Sequence, residues 1–143
     1  MTEVIFYSPE FDPGVKLTYS VISARYSNKW IFVRHHKRKT FEIAGGHIDE
    51  GETPDEAAAR ELYEETGALK FSISCICTYS VRKDGDTGWG RLYFAEVSEK
   101  GSIPDISEIE EVVLLDNIPD HLTHPDIQPH LFRKTLEYLS GSR

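Results

Sequence analysis

Cysteine is scarce in this chain, with two in 143 residues, Cys75 and Cys77. They lie two apart in a segment that reads as a strand, so both side chains are expected on one face, where a mutual disulfide would be strained. That excludes a disulfide-stapled scaffold and leaves reduced thiols packed in a core, as in a cytoplasmic protein. Long hydrophobic runs are also missing. Nowhere do eighteen apolar residues follow one another, and Met1-Thr2-Glu3-Val4-Ile5-Phe6 has no basic region ahead of a long apolar stretch. A membrane partner and a secretory signal are therefore not expected. Basic residues are outnumbered, 16 Lys and Arg against 24 Asp and Glu, for a net charge of −8. A general binder of nucleic acid needs a basic footprint, so nucleic acid is not the expected partner. Repeats and linkers are absent too, and no segment marks itself as an oligomer interface. What remains, 39% hydrophobic and 28% charged, is the composition of one globular domain over residues 1–143.

The acidity is concentrated. Between Gly46 and Ala68 there are eight acids and a single base, Arg60, so this stretch carries almost all of the net charge. It also contains the best-specified helix. Thr53 can cap it, Pro54 suits its first position, Glu56 completes a capping box and Gly67 supplies the stop. Around it, residues 17–25 and 30–33 read as a hairpin turned at Ser27-Asn28-Lys29, and residues 41–44 as a short strand. Residues 71–81 and 89–97 read as two long strands broken by residues 84–88, and residues 112–115 as a further strand. Leu131, Thr135, Leu136 and Leu139 fall at the spacing of a terminal helix. Strands interleaved with two helices predict a mixed α/β (α+β) sandwich, its acidic helix packed through Ala58, Ala59 and Leu62.

On that helix Glu61, Glu64 and Glu65 share one sector. Glu61 and Glu65 are direct neighbours at i, i+4, and like charges so placed repel. A hard divalent cation would offset the repulsion, because clustered oxygen ligands suit Mg²⁺ and Mn²⁺, and Gly45-Gly46 would let a backbone carbonyl approach the same ion. Three glutamates in five positions are, taken alone, a solvated helix face.

Spacing changes that reading. From Gly46 five residues lead to Glu52 and seven more to Arg60-Glu61-Leu62, followed by Tyr63, Glu64-Glu65, Thr66 and Gly67. This run resembles the signature box of the Nudix hydrolases at every specified position except the last, where Ala68 stands for a larger aliphatic residue. The preceding Phe41-Glu42-Ile43-Ala44-Gly45-Gly46 is similar to the strand that leads into the box, with Ala44 in place of the proline common there. The resemblance implies the Nudix-type α/β/α sandwich with a mixed β-sheet. It also implies divalent-metal-dependent hydrolysis of a nucleoside diphosphate linked to another group, by water attack at phosphorus. The implied metal ligands are Glu61, Glu64 and Glu65, with the carbonyl of Gly45 or Gly46. Glu61 or Glu64 would act on the water, with Glu108 and Glu111 as competitors for that role. Arg60 and Glu52 would pair as structural support.

For substrate contacts the candidates are Arg34 and His35, from the basic run of residues 34–39, together with Phe41 and Glu42. The nucleobase is expected against Tyr19, Phe32 or Phe41, near residues 124–128. The proline that marks ADP-ribose pyrophosphatases downstream of the box is missing, and Tyr79 lies too close to be the tyrosine of dinucleoside polyphosphate hydrolases. Glu42 and Ile48-Asp49 resemble the MutT-type enzymes, which implies a nucleoside triphosphate, canonical in its base or oxidised, cleaved to monophosphate and pyrophosphate. ADP-ribose, a dinucleoside polyphosphate, an RNA 5′-pyrophosphate and a non-catalytic nucleotide sensor are the alternatives.

Overall fold

The computed structural model describes residues 1–141. In chain order its elements are β1 (Thr2–Tyr7), β2 (Tyr19–Tyr26), β3 (Lys29–His35), β4 (Ala44–His47), α1 (Pro54–Thr66), β5 (Ala68–Lys83), β6 (Asp86–Lys100), β7 (Ile109–Leu115) and α2 (Gln128–Leu139). The strands form one mixed sheet in the order β1-β5-β6-β2-β3-β7, with β4 also bonded to β2. The β2 and β6 strands run parallel. The other pairs are antiparallel.

Side-chain alternation sorts the sheet into two cores. Ile31, Val33, Ile22 and Tyr93 pack with Ala58 and Leu62 of α1. Trp30, Phe32, Ile43 and Leu92 pack on the opposite face with Leu131 and Phe132 of α2. This is the expected α/β/α layering. The two halves of β2 have different partners. Arg25 and Tyr26 close the hairpin with Trp30 and Lys29, through Ser27 and Asn28 at φ 52° and 63°. The earlier half, from Tyr19 to Ile22, is bonded instead to β4. That switch places Gly45 and Gly46 directly under α1.

Several local expectations are corrected. The edge strand β1 was not foreseen, because its support is long-range: Val4 pairs with Val81 and Phe6 with Tyr79. The strand expected over residues 41–44 is displaced and runs instead over Ala44–His47, as β4. Phe41 and Glu42 make only isolated bridges, to Leu122 and Val33. Glycine is a poor strand former, but at this position a Cβ on Gly45 would stand 2.6 Å from the Ser20 carbonyl, so close strand approach overrides propensity. The β5–β6 break is a tight turn at Asp84-Gly85, both with positive φ, as a two-residue hairpin turn requires.

On α1 the buried alanines are Ala57 and Ala58, with Ala59 only half-buried. On α2 the buried stripe is Gln128, Leu131, Phe132 and Thr135, whereas Leu136 and Leu139 are exposed. The cysteines also part company. Cys75 pairs with Tyr93 and Cys77 with Leu92, so Ile76 is an extra residue, a bulge. Cys75 consequently packs toward α1 and Cys77 toward α2, both as free thiols. Among the described residues no helix is long and apolar enough to cross a membrane.

Candidate active site

The acidic helix begins as its sequence dictates. The Thr53 hydroxyl accepts the Glu56 N–H at 3.1 Å and the Glu56 carboxylate accepts the Thr53 N–H at 2.9 Å. Ser20 of β2 donates to the Pro54 carbonyl at 2.8 Å, tying the helix start to the sheet. Gly67, in the left-handed region at φ 78°, ends the helix by donating to the Tyr63 carbonyl.

Between those ends the three box glutamates differ sharply in environment. Glu65 is 7% exposed and accepts the Gly45 N–H at 2.9 Å. Burial pushes its carboxyl up to about 8, against the pull of that hydrogen bond. Glu61 is also raised, by burial, although it accepts from Arg60 at 2.8 Å. A Cβ on Gly46 would stand 2.7 Å from the Glu61 carboxylate, so only glycine lets the strand pass this close to the acids. Glu64 accepts from Arg60 at 3.2 Å.

Arg60 organises the cluster. It grips Glu52 through two bonds of 2.6 and 2.9 Å and donates to the His47 carbonyl at 3.1 Å. The guanidinium draws the Glu52 carboxyl down to about 2, and Glu52 in return raises Arg60. Glu52 also accepts the Asp49 N–H at 2.9 Å, so the loop before α1 is braced as expected. Among the described residues no three His, Cys, Asp or Glu side chains stand gathered as a ready metal cage. The donor chemistry nevertheless fits a hard divalent ion: an all-oxygen set, mutually repelling, with a buried carboxyl short of positive charge and a glycine-lined strand against it.

His35 lies among acids from three other segments. Its Nε2 is 3.5 Å from Glu65 and 3.7 Å from Glu42, and its Nδ1 is 3.8 Å from Glu108. Glu108 is largely exposed and approaches the Nδ1 of His35, whereas Glu65 approaches its Nε2. Glu111 pairs with Arg34 at 3.1 Å.

Beside the acids opens a cleft of about 630 Å³ on the α2 face of the sheet. Its acid end is walled by His35, Glu42, Gly45 and Gly46, and its far end by Lys83, Thr87 and Gly88. Of the expected substrate contacts, His35 and Glu42 are in its wall. Arg34 is not, being held by Glu111 and the Arg38 carbonyl, and Arg38 of the same run is there instead. Phe41 is not in that wall either: it is half-buried, packed against the core on the α2 side, with its backbone bonded to His121 and Thr123. Phe32, 1% exposed and against Phe132, is a core residue. Tyr19, His124 and Gln128 do line the cleft. Tyr79 and Lys83 were not foreseen there, since only the pairing of β5 with β6 and β1 brings them over the cleft. Their one sequence signal is the alternation of residues 79, 81 and 83 along the strand.

Residues 17–134 match the family model for the NUDIX domain. The chain belongs to that family. It is 30% identical over 102 residues, 71% of its length, to a Bacillus subtilis (strain 168) protein provisionally named 8-oxo-dGTP diphosphatase YtkD. It is 31% identical over 65 residues, 46% of its length, to the RNA pyrophosphohydrolase of Vibrio atlanticus (strain LGP32). The chain spans 64% and 38% of the lengths of these two relatives. In fold it is similar to the crystal structure of a mutant of the Bacillus subtilis pyrophosphohydrolase BsRppH, with a TM-score of 0.76 over 94% of this chain and 90% of that one at 24% identity.

Proposed function

We propose that this chain is a pyrophosphohydrolase that cleaves a nucleoside triphosphate, with an ordinary or an oxidised base, to monophosphate and pyrophosphate by water attack at phosphorus. The observation that carries the reading is the approach of Glu61 and Glu65 to the Gly45-Gly46 strand, with Glu64 tied to Glu61 through Arg60, at one end of a cleft of nucleotide size. Those three carboxylates and a carbonyl of Gly45 or Gly46 would hold Mg²⁺ or Mn²⁺. A bound divalent ion supplies neutralisation of the phosphate oxygens as the anhydride bond breaks.

The chain's own groups do the rest. Arg60 keeps Glu61 and Glu64 oriented by donating to both while braced on Glu52. Arg38 offers positive charge at the cleft wall, and His35 a hydrogen-bonding ring, to an anionic chain that an acidic surface would otherwise repel. One of Glu61, Glu64 and Glu108 orients or deprotonates the water. The likeness to YtkD supports a purine triphosphate substrate. A second reading, removal of pyrophosphate from an RNA 5′ end, draws support from Arg38 in the cleft wall and from the likeness to the Vibrio enzyme.

The test is a screen of the purified protein, with and without Mg²⁺ or Mn²⁺, against ordinary and oxidised nucleoside triphosphates, ADP-ribose, dinucleoside polyphosphates and 5′-triphosphorylated RNA, with products identified. Metal-dependent release of pyrophosphate from a triphosphate is expected. Glu64→Gln and Glu65→Gln should each abolish most turnover with the fold intact. A glutamate that only activates water keeps the metal's thermal stabilisation when changed to Gln, and a ligand loses it. Metal binding without turnover of any substrate would replace the enzyme by a sensor.

A further inference from the structure

We infer that two copies of this chain pair edge to edge through the first half of β5, about a twofold axis at Ser72, to make one continuous sheet. None of residues 68–77 lines the cleft, so the pairing does not depend on which substrate the cleft takes.

The border of the sheet is stepped there. β5 runs from Ala68 to Lys83, but β1 covers only its part from Thr78 to Lys83. On the side away from β6, residues 68–77 have no strand beside them among the described residues. The chain's own continuation is held away from that place. Beyond Tyr7 the Ser8 carbonyl accepts the Phe11 N–H at 3.1 Å, the Pro9 carbonyl accepts the Thr78 hydroxyl at 3.1 Å, and the Phe11 ring stacks on Tyr7 at 4.4 Å. The segment after β1 therefore turns off at the step instead of running on along β5. A bare strand border offers unpaired N–H and C=O groups to another strand.

A half-covered border is complementary to itself. Turned about a twofold axis normal to the sheet, a second copy lays its bare half antiparallel against this one, and its β1 falls beyond Ala68 instead of against the first β1. With Ser72 on the axis, Phe71 stands opposite Ile73, Lys70 opposite Ser74, and Ser72 opposite its own counterpart. Phe71 and Ile73 are half-buried at the margin of the core that α1 covers, so each gains an apolar neighbour on that face. Lys70, Ser72 and Ser74 are exposed, and in this register they set no like charges opposite one another.

Charge selects this border. The chain carries a net −8, so two copies repel wherever their acids meet. Residues 68–77 contain no acid and a single base, Lys70. The opposite border of the sheet, β7, exposes Glu110 and Glu111, and a copy paired there would crowd carboxylates together. The bare half of β5 has no proline, and its bulge at Ile76 comes only near its end. Lys70 alone blunts it, and across the axis that lysine faces a serine.

The experiment is sedimentation velocity of the full chain from about 5 to about 200 μM, the range in which an interface of one strand pair should associate. The wild type should pass from the mass of one chain to that of two as concentration rises. Ser72→Lys and Ser72→Glu each set like charges across the axis and should stay monomeric throughout, with unchanged circular dichroism because Ser72 is exposed. Mixed in equal amounts, the two variants should recover the dimer, which requires residue 72 to face residue 72. A wild type that stays monomeric, leaving the border to a strand of another protein, overturns the inference. So does a dimer that survives in either variant, or a mixture of folded variants that stays monomeric. Hydrogen exchange on the wild type needs no variant: amides within residues 69–76 should gain protection as the dimer forms, and a dimer without that gain uses another surface and overturns the inference too.

Discussion

Alanine in place of Gly46 should slow the enzyme without unfolding it. The added Cβ would stand 2.7 Å from Glu61 Oε1, 2.8 Å from its Cδ and 2.9 Å from Oε2. Ordinary contact begins at 3.4 Å, so the nearest oxygen is short by about 0.7 Å (3.4 − 2.7). What gives way is the end of a flexible side chain, and the fold is largely spared. The displaced carboxylate also leaves its 2.8 Å bond to Arg60 and its place beside Glu65. Misplacing a reacting group by about 1 Å can cost on the order of a hundredfold, so a loss of about ten- to a hundredfold in kcat is expected here. Gly45→Ala is the contrasting case. Its Cβ would meet the Ser20 carbonyl at 2.6 Å and the Val21 Cα at 2.9 Å, both backbone. The β2–β4 pairing must then open, at about 1–3 kcal/mol of stability. Thermal denaturation and metal-dependent pyrophosphate release, measured on both variants, check the pair. Near-normal turnover by Gly46→Ala would refute the view that Glu61 works where the strand presses on it.

Other outcomes follow from the same geometry. Arg60→Lys cannot reproduce the two-pronged grip on Glu52 together with the bonds to Glu61 and Glu64, so turnover should fall roughly ten- to a hundredfold with a much smaller change in melting temperature. Burial pushes the Cys75 thiol up to about 11 and Cys77 up to about 12, so native protein at pH 8 should resist a thiol-specific disulfide reagent that labels both residues at once in denaturant. Mild oxidation should likewise form no Cys75–Cys77 disulfide, because the bulge at Ile76 turns the two to opposite faces. The Lys83 ammonium, with the Thr2 hydroxyl, draws Asp126 down from 3.8 to about 2. A depressed carboxyl stabilises the fold above its unfolded value and loses that contribution as pH falls through the folded one. The difference in melting temperature between wild type and Asp126→Asn should therefore be full above pH 3.8 and fade toward pH 2.

What was legible in the sequence is what short spacing determines. The cap at Thr53, the stop at Gly67 and the shared face of Glu61, Glu64 and Glu65 depend only on the helical repeat, and the structure has them where the repeat puts them. The Arg60–Glu52 brace belongs to the same box and was legible with it. The strand alternation likewise sufficed for two cores and a layered fold.

Long-range pairing decided the remainder. The i, i+4 spacing alone makes Glu61 and Glu65 equivalent, yet β4 and β2 close over Glu65 and desolvate it, and no local pattern encodes that cover. The bulge that separates the cysteines is a mismatch between β5 and β6, invisible in either strand alone. Gln128 and Tyr79 line one cleft only because α2 packs back onto the sheet face that carries β5, although the 48 residues 80–127 lie between them in the chain. Local chemistry is written in neighbours along the chain, and burial is a property of what the rest of the chain places on top.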